Sequence, residues 1–267
     1  MNEINWDWFA GFYQAEGSVT GDRVNSNPQM ALCTKDTSVI DFIEKFLHCE
    51  NVQLRSYRYN YTHHTTFNTV DMEHFSIYAR KHLQPIINEL YPRIYHNVKQ
   101  KVYEWANSFG IELSNTQLPL TWDFVAGFWE GDGYMSRAPS PGSVYFGFTQ
   151  KEPEILYGIL KFVGKGNIRK FKPDNGDYAH DLRIFDGKSG GNRISQIMLQ
   201  HVRSLICHNK VTEALQFSKQ DVEKQQKKYR EHNKQDWKEH LNVSKYLKEH
   251  PEVAAKYRSI LAKETQI

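Results

Sequence analysis

Cysteine is scarce in this chain: Cys33, Cys49 and Cys207 are the only three among 267 residues, and no two of them share a paired spacing. Neither a disulfide framework nor a thiolate zinc site is indicated, and a reducing compartment is expected. Long hydrophobic runs are missing as well. Every apolar run is far shorter than the roughly 20 residues a bilayer requires, so no membrane partner is expected. No charged-then-apolar leader opens the sequence, and secretion is not expected. An excess of charge of one sign is lacking over most of the length: residues 1–220 carry 23 basic and 23 acidic groups, and the net +3 comes from 11 basic against 8 acidic groups in residues 221–267. Global charge therefore does not announce a nucleic-acid binder, and any such case rests on local patterning.

What the chain does contain is a repeat. Asn5 to Gly17 returns 116 positions later as Thr121 to Gly133, with Trp6, Asp7, Ala10, Gly11, Phe12 and Gly17 meeting identical residues. Each copy reads as a short helix. Asn5 and Thr121 are N-cap types, Asp7 and Asp123 favour the positive helix end, and Gly17 and Gly133 suit a C-terminal cap. Gly11 with Ala15, and Gly127 with Gly131, put small residues four apart on one face, which lets two helix backbones approach closely. Glu16 and Asp132 then stand at the negative ends of their helices, disfavoured by up to about 1 kcal/mol each, and repel one another if the helices pair. A sequence that accepts both costs at the same place twice is expected to bind a cation there.

Period-two and helical periodicities order the rest. Ser18 to Asn25 and Gln29 to Thr34 read as strands joined by a turn with Asn25, Asn27 and Pro28. Tyr134 to Ala138 and Ser143 to Gln150 correspond, joined through Pro139, Pro141 and Gly142. Met30, Leu32, Phe146 and Phe148 face the core; Gln29, Cys33, Ser143, Tyr145 and Thr149 face away. Asp36 caps a helix to about Leu47, matched by Ile155 to Phe162, and the alignment needs no gap across roughly forty residues. A third strand puts Val52 and Leu54 inward and Gln53, Arg55, Tyr57 and Tyr59 outward; its counterpart puts Ile168 inward and Asn167, Arg169 and Phe171 outward. A fourth strand is expected around Phe75 to Tyr78, and again from Tyr178 to Phe185 with Asp181 and Arg183 at the surface. Two helices close each repeat, near Leu83 to Leu90 and Tyr95 to Phe109, then Arg193 to Gln200 and Ser204 to Gln220.

The expected architecture is α+β, two pseudo-twofold αββαββα repeats: residues 1–113, a linker at 114–120, residues 121–220, and a charged helical tail at 221–267. Both outward sheet faces are rich in Arg, Tyr, Gln, Asn, Ser and Thr, the side chains that contact phosphates and base edges. The candidate contacts are Ser18, Thr20, Gln29, Gln53, Arg55, Tyr57, Tyr59, Tyr134, Ser136, Tyr145, Thr149, Asn167, Arg169, Phe171 and Arg183. Strands of about eight residues span about 26 Å, or nearly eight base pairs each, so two sheets cover more than one turn of duplex. Carboxylates without His or Cys neighbours select hard cations, Mg²⁺ above all, and a metal so held can activate water on a phosphodiester. His63, His64 and His208 lack partners at ligand spacing, and Gly187 to Gly191 lacks the lysine and strand of a phosphate loop, so it reads as a turn.

Phe9 to Gly17 and Val125 to Gly133 resemble the two signature helices of single-chain LAGLIDADG homing endonucleases, and Phe148 to Leu156, followed by Phe162 to Ile168, is similar to that family's second half. The resemblance covers about residues 5–220. It implies a monomeric saddle, its antiparallel sheets facing DNA, that cleaves both strands of a long target across the minor groove and leaves staggered ends. It implies that Glu16 and Asp132, with the carbonyls of Ala15 and Gly131, hold Mg²⁺, and that Ca²⁺ supports binding without cleavage. Gln14 and Glu130 match a structural position of the motif. Gln150 matches a polar residue that positions active-site water, its counterpart here being Thr34. Lys99 matches a basic residue near the pocket, with His208 at the corresponding place in the second half. The lack of a transit peptide suits synthesis inside an organelle, and an intron-encoded origin is expected of the family it resembles. Two rivals share the scaffold: a factor that binds its host intron RNA, and a non-catalytic DNA-binding regulator, for which loss of one acid would be the signature.

Overall fold

A computed structural model describes residues 3–22, 27–64, 69–137, 143–172, 177–186 and 192–216. The expected tail at 221–267, the turns at Asn25 and at 139–142, the segment 187–191 and the end of the last helix past Gln216 lie outside the described residues.

The architecture is α+β, and each half repeats one order. In the first half α1 (Trp6–Glu16) leads into β1 (Gly17–Asp22), β2 (Asn27–Thr34), α2 (Thr37–Cys49), β3 (Ser56–His64), β4 (Thr69–Tyr78), α3 (Arg80–Leu90), a 3₁₀ turn (Tyr91–Arg93) and α4 (His96–Ser108). The second runs α5 (Trp122–Asp132), β5 (Gly133–Arg137), β6 (Val144–Gln150), α6 (Glu154–Val163), β7 (Asn167–Phe171), β8 (Ala179–Asp186), α7 (Arg193–His201) and α8 (Leu205–Gln216). Two four-stranded antiparallel sheets result, ordered β1-β2-β4-β3 and β5-β6-β8-β7.

The repeated helices start as their first residues dictate. Asn5 Oδ1 accepts from the Trp8 amide at 2.9 Å and Thr121 Oγ1 from the Phe124 amide at 3.2 Å, each satisfying one orphan N–H of a first turn. Their C-terminal glycines are not left-handed caps. Gly17 and Gly133 are extended and open the next strand directly, and glycine is required because a Cβ would lie 2.4 Å from the Tyr13 carbonyl oxygen at Gly17 and 2.2 Å from the Trp129 ring at Gly133.

α1 and α5 pack against each other at the centre of the molecule. A Cβ on Gly11 would lie 2.0 Å from the carbonyl oxygen of Phe124, and one on Gly127 would lie 2.1 Å from that of Trp8. Since 11 corresponds to 127 and 8 to 124, the contact is reciprocal, as a pseudo-twofold axis requires. Trp8, Phe9, Phe12 and Tyr13, with Phe124, Phe128 and Trp129, are fully buried around it and form one continuous core with Met30, Leu32, Phe146 and Phe148 from the inner sheet faces.

Polar contacts lock the halves at the same seam. Asn5 donates across to Asp123 at 2.8 Å, while within each half Asp7 accepts from Arg93 Nε at 2.8 Å and Asp123 from Arg203 at 2.9 Å. Ser204 donates across to Asp36, the N-cap residue of α2.

The third strand begins later than its periodicity suggests. Val52 is buried and Leu54 partly so, but residues 52–55 are a loop, because the imidazole of His82 on α3 binds the Gln53 carbonyl and strand pairing starts only where the Tyr78 amide donates to the Arg55 carbonyl. β4 runs from Thr69, well before Phe75.

Candidate active site between two sheet faces

The paired helices end side by side, and the small residues decide how close the acids come. A Cβ on Gly131 would meet that of Ala15 at 2.4 Å and the Glu16 Cγ at 3.0 Å. Glu16 therefore lies against the residue preceding Asp132. Burial pushes the Glu16 carboxyl up to about 7, the charge of Asp132 adds to the rise, and the charge of Lys35 offsets part of it. The Asp132 carboxyl is also raised by burial, and the Gln150 side-chain amide, which donates to its Oδ2, holds it down in part. Both carboxyls are thus pushed above their ordinary range, Glu16 by burial and then by the charge of Asp132, and Asp132 by burial against the pull of Gln150.

The halves differ at this seam. Thr34, the counterpart of Gln150, is buried and uses its hydroxyl to accept from the Asp36 amide at 3.2 Å. Glu16 has no matching amide donor among the described contacts. Two residues earlier, Gln14 and Glu130 do equivalent work: the Gln14 amide spans the backbone N–H and C=O of Tyr95, and Glu130 Oε1 accepts from the amides of Arg203 and Ser204. Burial raises the Glu130 carboxyl to about 8, against the pull of those donors and of Arg203.

Lys99 has its contacts on the linker side of α4. Its ammonium donates to Gln117 Oε1 at 2.6 Å and lies 4.5 Å above the Tyr91 ring, so it anchors the linker between the halves. The basic group whose field reaches Glu16 is Lys35, exposed just past the end of β2. His208, the second-half counterpart, lies 3.5 Å from the Thr212 hydroxyl on its own helix. Sequence alignment pointed to α4 because it closes the repeat; the signal for Lys35 was its match with Lys151 immediately after β2 and β6.

The outward sheet faces hold most of the candidate contacts. On the first sheet Ser18, Thr20, Tyr57 and Tyr59 are exposed and Gln29 is half-buried. Tyr57, Tyr59 and Tyr61 form an aromatic row along β3 with centroids 5.6 and 5.9 Å apart, while Arg58, on the opposite face, is spent on Asp41, Glu44 and Glu73. Gln53 is exposed but sits in the loop before β3, so it is not a strand residue of this face. Arg55, in the same loop, has its guanidinium 5.1 Å from the Tyr78 ring.

On the second sheet, Asp181 is not the surface residue that alternation suggests. It is buried beneath its own neighbours, accepting from the Tyr134 hydroxyl at 2.7 Å, Arg169 at 2.9 Å and Arg183 at 2.8 Å. A buried carboxylate with three charged or hydroxyl donors is compensated, and it ties those donors to one point on the sheet. Arg183 also lies over the Tyr145 ring and Arg169 over Phe171, while Asn167 is exposed and Ser136 and Thr149 are half-buried.

Fold and site together define a two-repeat α+β protein with an acidic pair at its pseudo-symmetry seam and a polar, aromatic and cationic sheet face on each side. No family model and no curated relative matches the chain. Among solved structures, its backbone is similar to the I-SmaMI LAGLIDADG homing endonuclease bound to cleaved DNA, with 14% identity, 85% of this chain and 92% of that one covered, and a TM-score of 0.45. It is similar also to meganuclease I-SmaMI bound to uncleaveable DNA, at 13% identity, 80% and 91% coverage and TM-score 0.49. The LAGLIDADG meganuclease I-AabMI bound to uncleaved DNA gives 13%, 83% and 96%, and 0.48.

Proposed function

We propose that this protein is a site-specific endonuclease that hydrolyses both strands of a DNA duplex with Mg²⁺, working across the minor groove and leaving staggered ends. The observation that carries the reading is the convergence of Glu16 and Asp132 at the seam of α1 and α5, where burial and mutual repulsion raise the Glu16 carboxyl to about 7. Two neighbouring carboxylates that form no ion pair among the described residues fit a hard divalent cation, which would remove both penalties. The ligands of this reading are the two carboxylates and the carbonyls of Ala15 and Gly131; among the described residues no group of three or more His, Cys, Asp and Glu is placed to hold a metal elsewhere.

Mg²⁺ so held supplies a Lewis acid for the phosphate and a water of lowered pKa. The chain's own residues do the rest. The close approach at Gly11 and Gly127 fixes the spacing of the acids, and Gln150 orients Asp132 and offsets part of the rise in its carboxyl. Lys35 puts a positive field beside Glu16, where a scissile phosphate would lie. The two outward sheet faces, with Ser18, Thr20, Gln29, Tyr57 and Tyr59 on one side, Arg55 in the adjoining loop, and Tyr134, Ser136, Tyr145, Thr149, Asn167, Arg169, Phe171 and Arg183 on the other side, position the duplex about the seam. The protein acts as a monomer, since both halves of the site come from one chain.

The test is a cleavage selection from a randomised duplex library with Mg²⁺, with Ca²⁺ as the binding-only control. Glu16→Gln or Asp132→Asn is expected to abolish double-strand cleavage while binding stays within a few fold and falls steeply with salt. Tight duplex binding by the unaltered chain with no cleavage would refute the reading in favour of a non-catalytic binder.

A further inference from the structure

Cys33 and His74 have no part in that reaction, yet they face the same groove. Cys33 on β2 and His74 on β4 are directly opposed in the antiparallel register, both half-buried on the outward face of the first sheet. The Cys33 sulfur lies 3.2 Å from His74 Nδ1. The imidazole is held in place by the Tyr59 ring, stacked on it at 4.7 Å and 30°. Burial pushes the Cys33 thiol up, a hydrogen bond with the Tyr61 side chain offsets part of the rise, and the charge of the Glu16 carboxyl adds to it.

A thiolate and an imidazole form the ligand pair that prefers Zn²⁺ to Mg²⁺. A tetrahedral zinc with bonds of about 2.3 Å to sulfur and 2.0–2.1 Å to nitrogen sets its two ligands about 3.6 Å apart. The existing pair needs to open by only about 0.4 Å, within reach of small χ rotations. We infer that Cys33 Sγ and His74 Nδ1 form a second metal site, selective for Zn²⁺ or a similar borderline-soft dication, on the groove floor beside the acid pair.

Binding displaces the Cys33 thiol proton to solvent and leaves two coordination positions open towards the groove for water or a phosphate oxygen. Among the described residues no third His, Cys, Asp or Glu joins the pair, so water or a phosphate oxygen would have to complete the coordination. The charges around it are Glu16 and, beyond that acid, Lys35 and Asp132; the acids favour a bound dication and the lysine opposes it. An ion here lies where the first sheet would meet the duplex, so Zn²⁺ is expected to impair cleavage in the first half even when Mg²⁺ is present. That consequence rests on the proposed function; the binding does not.

The test is a Co²⁺ titration of the full chain, read by thiolate-to-cobalt charge-transfer absorption and reversed by Zn²⁺. The band is expected to appear at one equivalent, to vanish with Cys33→Ser or Cys33→Ala, and to need at least about tenfold more Co²⁺ with His74→Gln. Cys49→Ser is expected to leave it unchanged. Two Cys33 variants are used so that a folding defect in one, seen by melting, does not decide the outcome. Glu16→Gln separates the two ideas: it should end cleavage while the band persists. Absence of a band in the unaltered chain, or a band that survives loss of the Cys33 thiol, would overturn the inference.

Discussion

Alanine at Gly11 or at Gly127 tests the central seam most directly. The added Cβ would sit 2.0 Å from the Phe124 carbonyl oxygen in one case and 2.1 Å from that of Trp8 in the other, where ordinary contact begins at 3.4 Å. The obstruction is helix backbone on both sides, so no side chain can swing clear and α1 must move from α5 by about 1.4 Å. Overpacking of that kind costs about 3 kcal/mol at the upper end of its usual range, or roughly 6–12 °C in melting temperature for a chain this size. The same displacement separates Glu16 from Asp132, and a shift of about 1 Å at a reacting centre costs on the order of a hundredfold in rate. Thermal melting by circular dichroism and Mg²⁺-dependent cleavage of the selected target measure the two effects. Gly158→Ala is the control: its Cβ would meet only Leu120 Cδ1, at 3.4 Å, and in the interior of α6 alanine should stabilise by about 0.5–1 kcal/mol. Parental melting temperature and parental cleavage in both Gly11→Ala and Gly127→Ala would refute the close-packed seam.

Further outcomes follow from the acids. The raised Glu130 carboxyl keeps its proton in the folded state, at about 8, after the unfolded chain has lost it near 4.5, so stability should fall as pH rises between those values by up to about 1.4 kcal/mol per unit. Glu130→Gln, which copies the neutral side chain at Gln14, should flatten that slope in denaturant melts from pH 5 to 8; an unchanged slope would place the penalty elsewhere. For Glu16, the raised carboxyl must lose its proton to bind Mg²⁺, so apparent affinity should climb about tenfold per unit below pH 7 and level off above it. Calorimetry in buffers of different ionisation enthalpy checks the proton released, and affinity that does not vary with pH would exclude Glu16 as a ligand.

Much of the architecture was legible because it was written twice. The recurrence of Gly11 and Ala15 as Gly127 and Gly131 foretold a close helix pair, and alternation along β2 and β6 correctly turned Met30, Leu32, Phe146 and Phe148 inward, since a period of two admits only two faces. Gln53 and Asp181 escaped that logic. Periodicity reports which side of a strand a residue takes, not whether His82 will claim its carbonyl and end the strand, nor whether Tyr134, Arg169 and Arg183 will fold over a carboxylate and bury it.

Local pattern alone determined that two equivalent helices end in acids and that polar sheet faces flank them, because caps, small-residue spacing and strand alternation are short-range properties. Only the tertiary structure decided which charges share a space. Lys35 rather than Lys99 acts on Glu16, Gln150 holds Asp132, and Cys33 meets His74, 41 residues away in the chain. Coulomb interactions and coordination depend on distance through space, which strand pairing and helix docking set and residue spacing does not.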